Sequence, residues 1–194
     1  MKIPDSHPYQ GLRSYIEDIY QHVNVLCFSY YRYIPQTLTD NRYYFEINAD
    51  DFLNENFMAH VMELCPPGME LAFHSTVKLY SGSVMHIPMV DMFTNSPVQL
   101  EKLRPFWGGE LYPFVKWYRS GRSFHGYVNQ LIDYSDWISL MGRLLLVNQP
   151  NMPPMVDPRW VGHRLNAGYA ALRWTCNTQH YIELPKAIPW GVQR

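Results

Sequence analysis

Residues 119–125, Arg-Ser-Gly-Arg-Ser-Phe-His, concentrate hydrogen-bond donors between two apolar runs. Two guanidiniums, two hydroxyls, an imidazole and the backbone N–H groups around Gly121 suit the oxygens of an anion, and arginine can grip phosphate through two parallel bonds. No Gly-x-Ser-x-Gly elbow surrounds Ser120 or Ser123, so a hydrolase triad is not indicated. His125 taken alone fits a half-buried strand histidine equally well. Two acids flank this stretch in sequence. Asp91 ends the apolar run His-Ile-Pro-Met-Val-Asp, and Asp157 follows Val156 and precedes Pro158. Either could be a mere turn or helix-capping aspartate. Together, two carboxylates distant in sequence can converge on a divalent metal while Ser120, Arg122, Ser123, His125 and Arg173 hold a phosphate tail. That combination is suited to nucleotidyl transfer.

The elements that must position these residues read as a mixture of helix and strand. Helical spacing of Leu12, Tyr15, Ile16, Ile19, Tyr20 and Val23 predicts a helix within residues 10–33. Alternation predicts a strand at 42–49, and capping aspartates predict a helix through 50–65. Residues 69–80 and 84–92 read as a hairpin about Ser-Gly-Ser. A short helix is expected at 97–104, and two strand pieces meet at the Gly-Arg corner of 121–122. An amphipathic helix spans the Asp-Tyr-Ser-Asp-Trp run from 133. A short helix follows Asp157, then a strand at 170–175 and an extended segment over 181–194. The class is α+β or α/β.

With 194 residues and no internal repeat, one domain or at most two small ones are expected. The three cysteines form no CxxC pair, which excludes a zinc ribbon or disulfide framework. No leader and no apolar run of membrane-spanning length is evident, so a cytoplasmic protein with no membrane partner is expected. The formal net charge of −1 does not mark a nucleic-acid binder. Cations nevertheless cluster in two acid-free stretches. One holds Lys116, Arg119 and Arg122; the other holds Arg159, His163, Arg164 and Arg173. Lys116, Arg119, Arg159 and Arg164 are candidate nucleic-acid contacts, with Trp117, Tyr118 and Trp160 as possible stacking partners; the plainer reading is two solvated faces and a set of core aromatics.

In order and spacing, "HIPMVDM", "SGRSFHGY" and the Val-Asp of "MVDPRW" resemble the three motifs of the archaeo-eukaryotic primase superfamily, the primase-polymerases. "LRWTCNT" resembles the strand that follows in such proteins. The likeness covers about residues 69–190 and is greatest to the small bacterial and phage proteins called primase 1D-like. It implies one α+β domain over 1–194, a compact catalytic core with a mixed or antiparallel sheet flanked by helices, to which 1–68 contributes a helix and strand portion. It also implies Asp91, His125 and Asp157 as catalytic residues, with Mg²⁺ or Mn²⁺ held by Asp91 and Asp157. The implied partners are nucleoside triphosphates and single-stranded DNA or RNA, in a replication, phage, plasmid or defence setting.

One departure is plain. The superfamily's first motif carries a second acid, whereas Asp91 is followed by Met92 and Phe93. A catalytically reduced module that binds nucleotide or single-stranded nucleic acid on the same scaffold is therefore the alternative. Glu46, Asn48 and Asp50, alternating on one strand, are a substitute polar cluster. A third reading, a metal-dependent hydrolase using His74, His86 and Asp91, has no familiar metal-ligand spacing.

Overall fold

The computed structural model describes residues 2–189. Helix α1 (Pro8–Asp18) opens on His7, whose Nδ1 accepts from the Tyr9 N–H, with Pro8 at the first helical position. After a 3₁₀ turn comes strand β1 (Val23–Tyr31), then β2 (Arg42–Asn48). Helices α2 (Ala49–Leu53) and α3 (Glu55–Glu63) follow. Strands β3 (Glu70–Leu79), β4 (Val84–His86) and β5 (Met89–Asp91) lead to a 3₁₀ segment at Pro97–Leu103 and helix α4 (Arg104–Trp107). The chain continues through β6 (Val115–Arg119), β7 (Phe124–Val128), α5 (Tyr134–Leu146), α6 (Pro158–Ala167), β8 (Ala171–Arg173) and β9 (Lys186–Ala187).

The fold is α+β, built on two antiparallel sheets. One runs in the order β2-β1-β3-β4, with β8 also pairing β3; the other runs β5-β7-β6-β9. Strands β8 and β4 pair with successive stretches of β3, residues 72–74 and 76–78. Trp174, just after β8, sits in the core among Phe28, Phe52, Phe73 and Tyr9. Among the described residues no helix is long and apolar enough to cross a membrane.

Four sequence expectations change. The helix predicted within 10–33 ends at Asp18, because Val23–Tyr31 is an interior strand paired on both sides. Cross-strand pairing and burial of Leu26 and Phe28 outweigh weak helical spacing. The helix expected through 50–65 breaks at Asn54, whose side chain accepts from the N–H groups of Asn56 and Phe57 and starts a new helix. The run 84–92 is two strands in different sheets: β4 pairs β3, and two residues later β5 pairs β7. The extended reading of 181–189 reduces to the short strand β9, and residues 190–194 lie outside the described residues.

Candidate functional site

The change of sheet after His86 puts Asp91 at the end of β5, directly opposite His125 on β7. His125 Nε2 lies 3.7 Å from Asp91 Oδ1, too far for a hydrogen bond. Burial, followed by the Arg173 guanidinium, holds the His125 pKa well below the usual value, so the ring is neutral. Its Nδ1 is buried with no hydrogen-bond partner among the described residues. The fold thus leaves a buried polar atom unpaired beside the cleft, a cost that calls for a reason.

Asp157 reaches the same place by a main-chain link. Its N–H donates to the Asp91 carbonyl at 3.0 Å, and Met92 and Val156 form a bridge beside it. Asp157 is the N-cap of α6, with Oδ1 accepting from the N–H groups of Arg159 (2.8 Å) and Trp160 (3.2 Å). Burial, then the neighbouring Asp157 charge, pushes the Asp91 pKa well above the ordinary carboxylate value, against a smaller downward pull from Arg173. A buried carboxylate beside a second negative charge is a place where a cation would be welcome.

The corner between β6 and β7 is closed by Ser120 N–H donating to the Ser123 carbonyl at 3.0 Å, and the two hydroxyls lie 3.2 Å apart. Gly121 has φ +103°, a conformation open to glycine but strained for any other residue. Arg122 is exposed, with a long 3.5 Å contact to the His180 carbonyl. Arg173 is buried and largely committed. It donates to the carbonyls of Ser120 (2.8 Å), Glu183 (3.3 Å) and Thr175, and stacks over the Tyr181 ring at 4.0 Å. It braces the corner and adds positive field there.

These groups line one cleft of about 1440 Å³. Asp91, Ser120, Arg122, Ser123, His125, Asp157, Arg159, Arg164 and Arg173 are all on its wall, whereas Lys116 and Arg119 are not. Lys116 is exposed on β6, and Arg119 lies over the Phe124 ring. Arg159 is exposed and donates to the Thr37 carbonyl at 2.8 Å. Arg164 differs from its expected role as a solvent-facing contact. It is 2% exposed and ion-paired with Asp40. Trp117 and Tyr118, read as either stacking partners or core aromatics, are buried in the core; Trp160 does line the cleft, its indole N–H donating to the Ala171 carbonyl.

The other polar groupings are spent on structure. Glu46 pairs with Lys78, Asn48 caps α2, and Asp50 accepts from the Tyr20 hydroxyl; none lines the cleft. His74 shares a hydrogen bond with the Ser29 hydroxyl and stacks on Tyr169, and His86 bonds the Ser75 hydroxyl. No group of three or more His, Cys, Asp or Glu side chains that could hold a metal occurs among the described residues. Sequence reasoning did not find Asp40, Arg42, Glu70 or Tyr181. Each acts through partners remote in sequence and carries no local motif.

Compared with known protein families, residues 50–186 match the family described as archaeo-eukaryotic primase 1D-like. The chain belongs to that family. No curated protein and no solved structure matched it. The region shared with the primase 1D-like family carries Asp91, the 119–125 corner, Asp157 and Arg173, while β1, β2 and the loop between them lie outside it. Asp91 and Asp157 offer two carboxylates to the divalent metal that the primase resemblance implies. Mg²⁺ is commonly held by one or two carboxylates together with substrate phosphates and water, so a pair suffices. Where a second acid would follow Asp91, Met92 is buried and Phe93 is 58% exposed at the cleft wall.

Proposed function

We propose that this primase 1D-like protein is a nucleotidyltransferase of the primase-polymerase kind, taking a nucleoside triphosphate and a nucleic-acid strand into one cleft. The observation that carries the proposal is the convergence of Asp91, Asp157 and the donor-rich 119–125 corner, with the two acids joined by a main-chain hydrogen bond. The cleft's volume exceeds the ~300–1000 Å³ of typical small-ligand pockets, leaving space beside a nucleotide for part of a strand.

Each residue contributes in a definable way. Exposed Arg122 is free to swing onto triphosphate oxygens, and the Ser120 and Ser123 hydroxyls can donate to the same group. Neutral His125 offers one N–H to phosphate without a charge that would need shielding. Arg173 holds the corner in shape and adds positive potential. Asp91 and Asp157 would hold Mg²⁺ or Mn²⁺, which when bound neutralises phosphate charge and stabilises the charge that develops in transfer. In the reaction a strand 3′-oxygen bonds to the α-phosphorus, the α–β bridging bond breaks, and pyrophosphate leaves with net loss of the hydroxyl proton.

A second reading, a nucleotide- or strand-binding module without catalysis, is favoured by the exposed Phe93 where an acid is missing. The test is incorporation of labelled nucleotide with Mn²⁺ by wild type and Asp157→Asn, alongside calorimetry of triphosphate binding in chelator by wild type and Arg122→Ala. Asparagine caps a helix as well as aspartate does, so Asp157→Asn keeps the fold while removing a charge. Incorporation lost in Asp157→Asn, with unchanged melting, supports the enzyme. Triphosphate binding that needs Arg122, without incorporation by wild type, supports the binding module. Equal affinity of wild type and Arg122→Ala removes the phosphate role of the corner.

A further inference from the structure

A second cationic grouping lies on the wall of the same cleft, away from the 119–125 corner. Arg42 on β2 and Arg164 on α6 both close on Asp40, in the loop joining β1 to β2. Arg42 Nε donates to the two carboxylate oxygens at 3.0 and 2.9 Å, and Arg164 Nη2 donates to Oδ2. The side chains of Arg42 and Arg164 are 7% and 2% exposed, and that of Asp40 is 25% exposed. Arg42 lies over the Tyr31 ring and Arg164 over the Tyr169 ring.

Charge does not balance here. His74 faces both guanidiniums, and burial, then Arg42 and Arg164, holds its pKa down to about 2, so it adds no charge. Tyr31, Tyr44 and Tyr169 contribute neutral phenols. Asp40 is the one carboxylate in ion-pair reach of either arginine among the described residues. Two nearly buried cations thus share one anion. Arg164 Nη1 is buried with no hydrogen-bond partner. An uncompensated buried cation and an unused donor are both costly, and both would be relieved by an anion with more oxygens than a carboxylate.

We propose that Arg42 and Arg164 form a second anion subsite, which takes a backbone phosphate of the strand, and that Asp40 is an internal stand-in that the phosphate displaces. This rests on the nucleic-acid reading above. Arg164 follows Asp157 by seven residues on α6, about 10 Å along the helix axis. Phosphate presents enough oxygens to engage both forks and the idle Nη1. Its entry would release Asp40 and leave the loop held at Thr37 by Arg159.

The test uses the full chain, with a labelled short oligothymidylate followed by anisotropy, a nucleoside triphosphate followed by calorimetry, and inorganic phosphate followed by thermal shift. Asp40→Asn removes the competing charge. It should bind the oligonucleotide about tenfold tighter, the size of one charge-assisted hydrogen bond no longer given up, with triphosphate affinity unchanged. Wild type and Asp40→Asn binding the strand equally overturns the proposal, while the triphosphate result still stands for the 119–125 corner. A gain for triphosphate and none for the strand overturns the assignment to a strand phosphate. If wild type binds neither ligand but inorganic phosphate stabilises Asp40→Asn more than wild type, the nucleic-acid reading falls and an anion subsite alone is supported. Should Asp40→Asn fail to fold, Arg42→Lys decides. It keeps the charge and loses the fork, and must weaken strand binding about tenfold without touching triphosphate binding; equal strand affinity overturns the proposal.

Discussion

Glu70→Gln is expected to damage both the fold and the nucleotide corner, although Glu70 touches no proposed ligand. Glu70 begins β3 and is fully buried. Its carboxylate accepts from four donors: Thr175 Oγ1 at 2.5 Å, Asn177 N–H at 2.9 and 3.1 Å, and the N–H and hydroxyl of Thr178, each at 2.8 Å. The Thr175 hydroxyl points its one hydrogen at Glu70 while accepting from the Leu71 N–H, so a glutamine amide there would set donor against donor unless that hydrogen turns away. Glutamine converts one acceptor into a donor and removes the charge from the remaining bonds. Charge-assisted bonds contribute about 1.5–3 kcal/mol and neutral ones about 0.5–1.5, so the combined loss is about 3 kcal/mol. For a chain of this size that lowers Tm by about 6–12 °C. The same segment supplies Tyr181 beneath the Arg173 guanidinium and the Glu183 carbonyl that it binds. Triphosphate affinity should therefore fall with the melting temperature. Calorimetric melts and triphosphate titration at a temperature where the variant is folded check both halves. A Tm within about 2 °C of wild type would refute the hydrogen-bond arithmetic. A lowered Tm with unchanged affinity would refute the coupling from Glu70 to Arg173.

Gly126→Ala should also destabilise. A methyl at Gly126 would stand 2.7 Å from Trp117 Cζ3 and 2.8 Å from Val90 Cγ1, and such overpacking costs about 1–3 kcal/mol, read as a lower Tm. Stability should decline as pH falls from about 6.5 towards 4. Burial pushes the imidazoles of His7 and His86 down to about 4, so the unfolded chain takes up protons that the folded one refuses; thermal melts across that range check it, and a flat profile would refute it.

How far the chain's organisation could be read in advance depended on how local the signal was. Asp157 with Pro158, the Gly121 corner and the Asp133-led helix α5 are local patterns, and they appear where expected. Asp91, His125 and Asp157 share no local pattern, yet the primase resemblance named all three; the register of β5 against β7 sets Asp91 opposite His125, and the Asp157 N–H bond to the Asp91 carbonyl adds the third. Strand β1 was hidden because its interior position comes from pairing with β2 and β3, which the helical spacing of the residues before it does not reveal. Trp117 and Tyr118 looked like exposed stackers beside Lys116, but β6 lies between β7 and β9 and buries both. Asp40 and Arg164 are 124 positions apart, and nothing in either neighbourhood announces the other.

The link from the Asp157 N–H to the Asp91 carbonyl uses no side-chain atom. Every residue but proline carries those two groups, so substitution at either position leaves the two chain segments side by side. Proximity and chemistry are thereby inherited separately in this fold. An acid in this hollow could be replaced and the hollow itself would remain. Such a scaffold can drift from making a polymer to merely sensing one without being rebuilt.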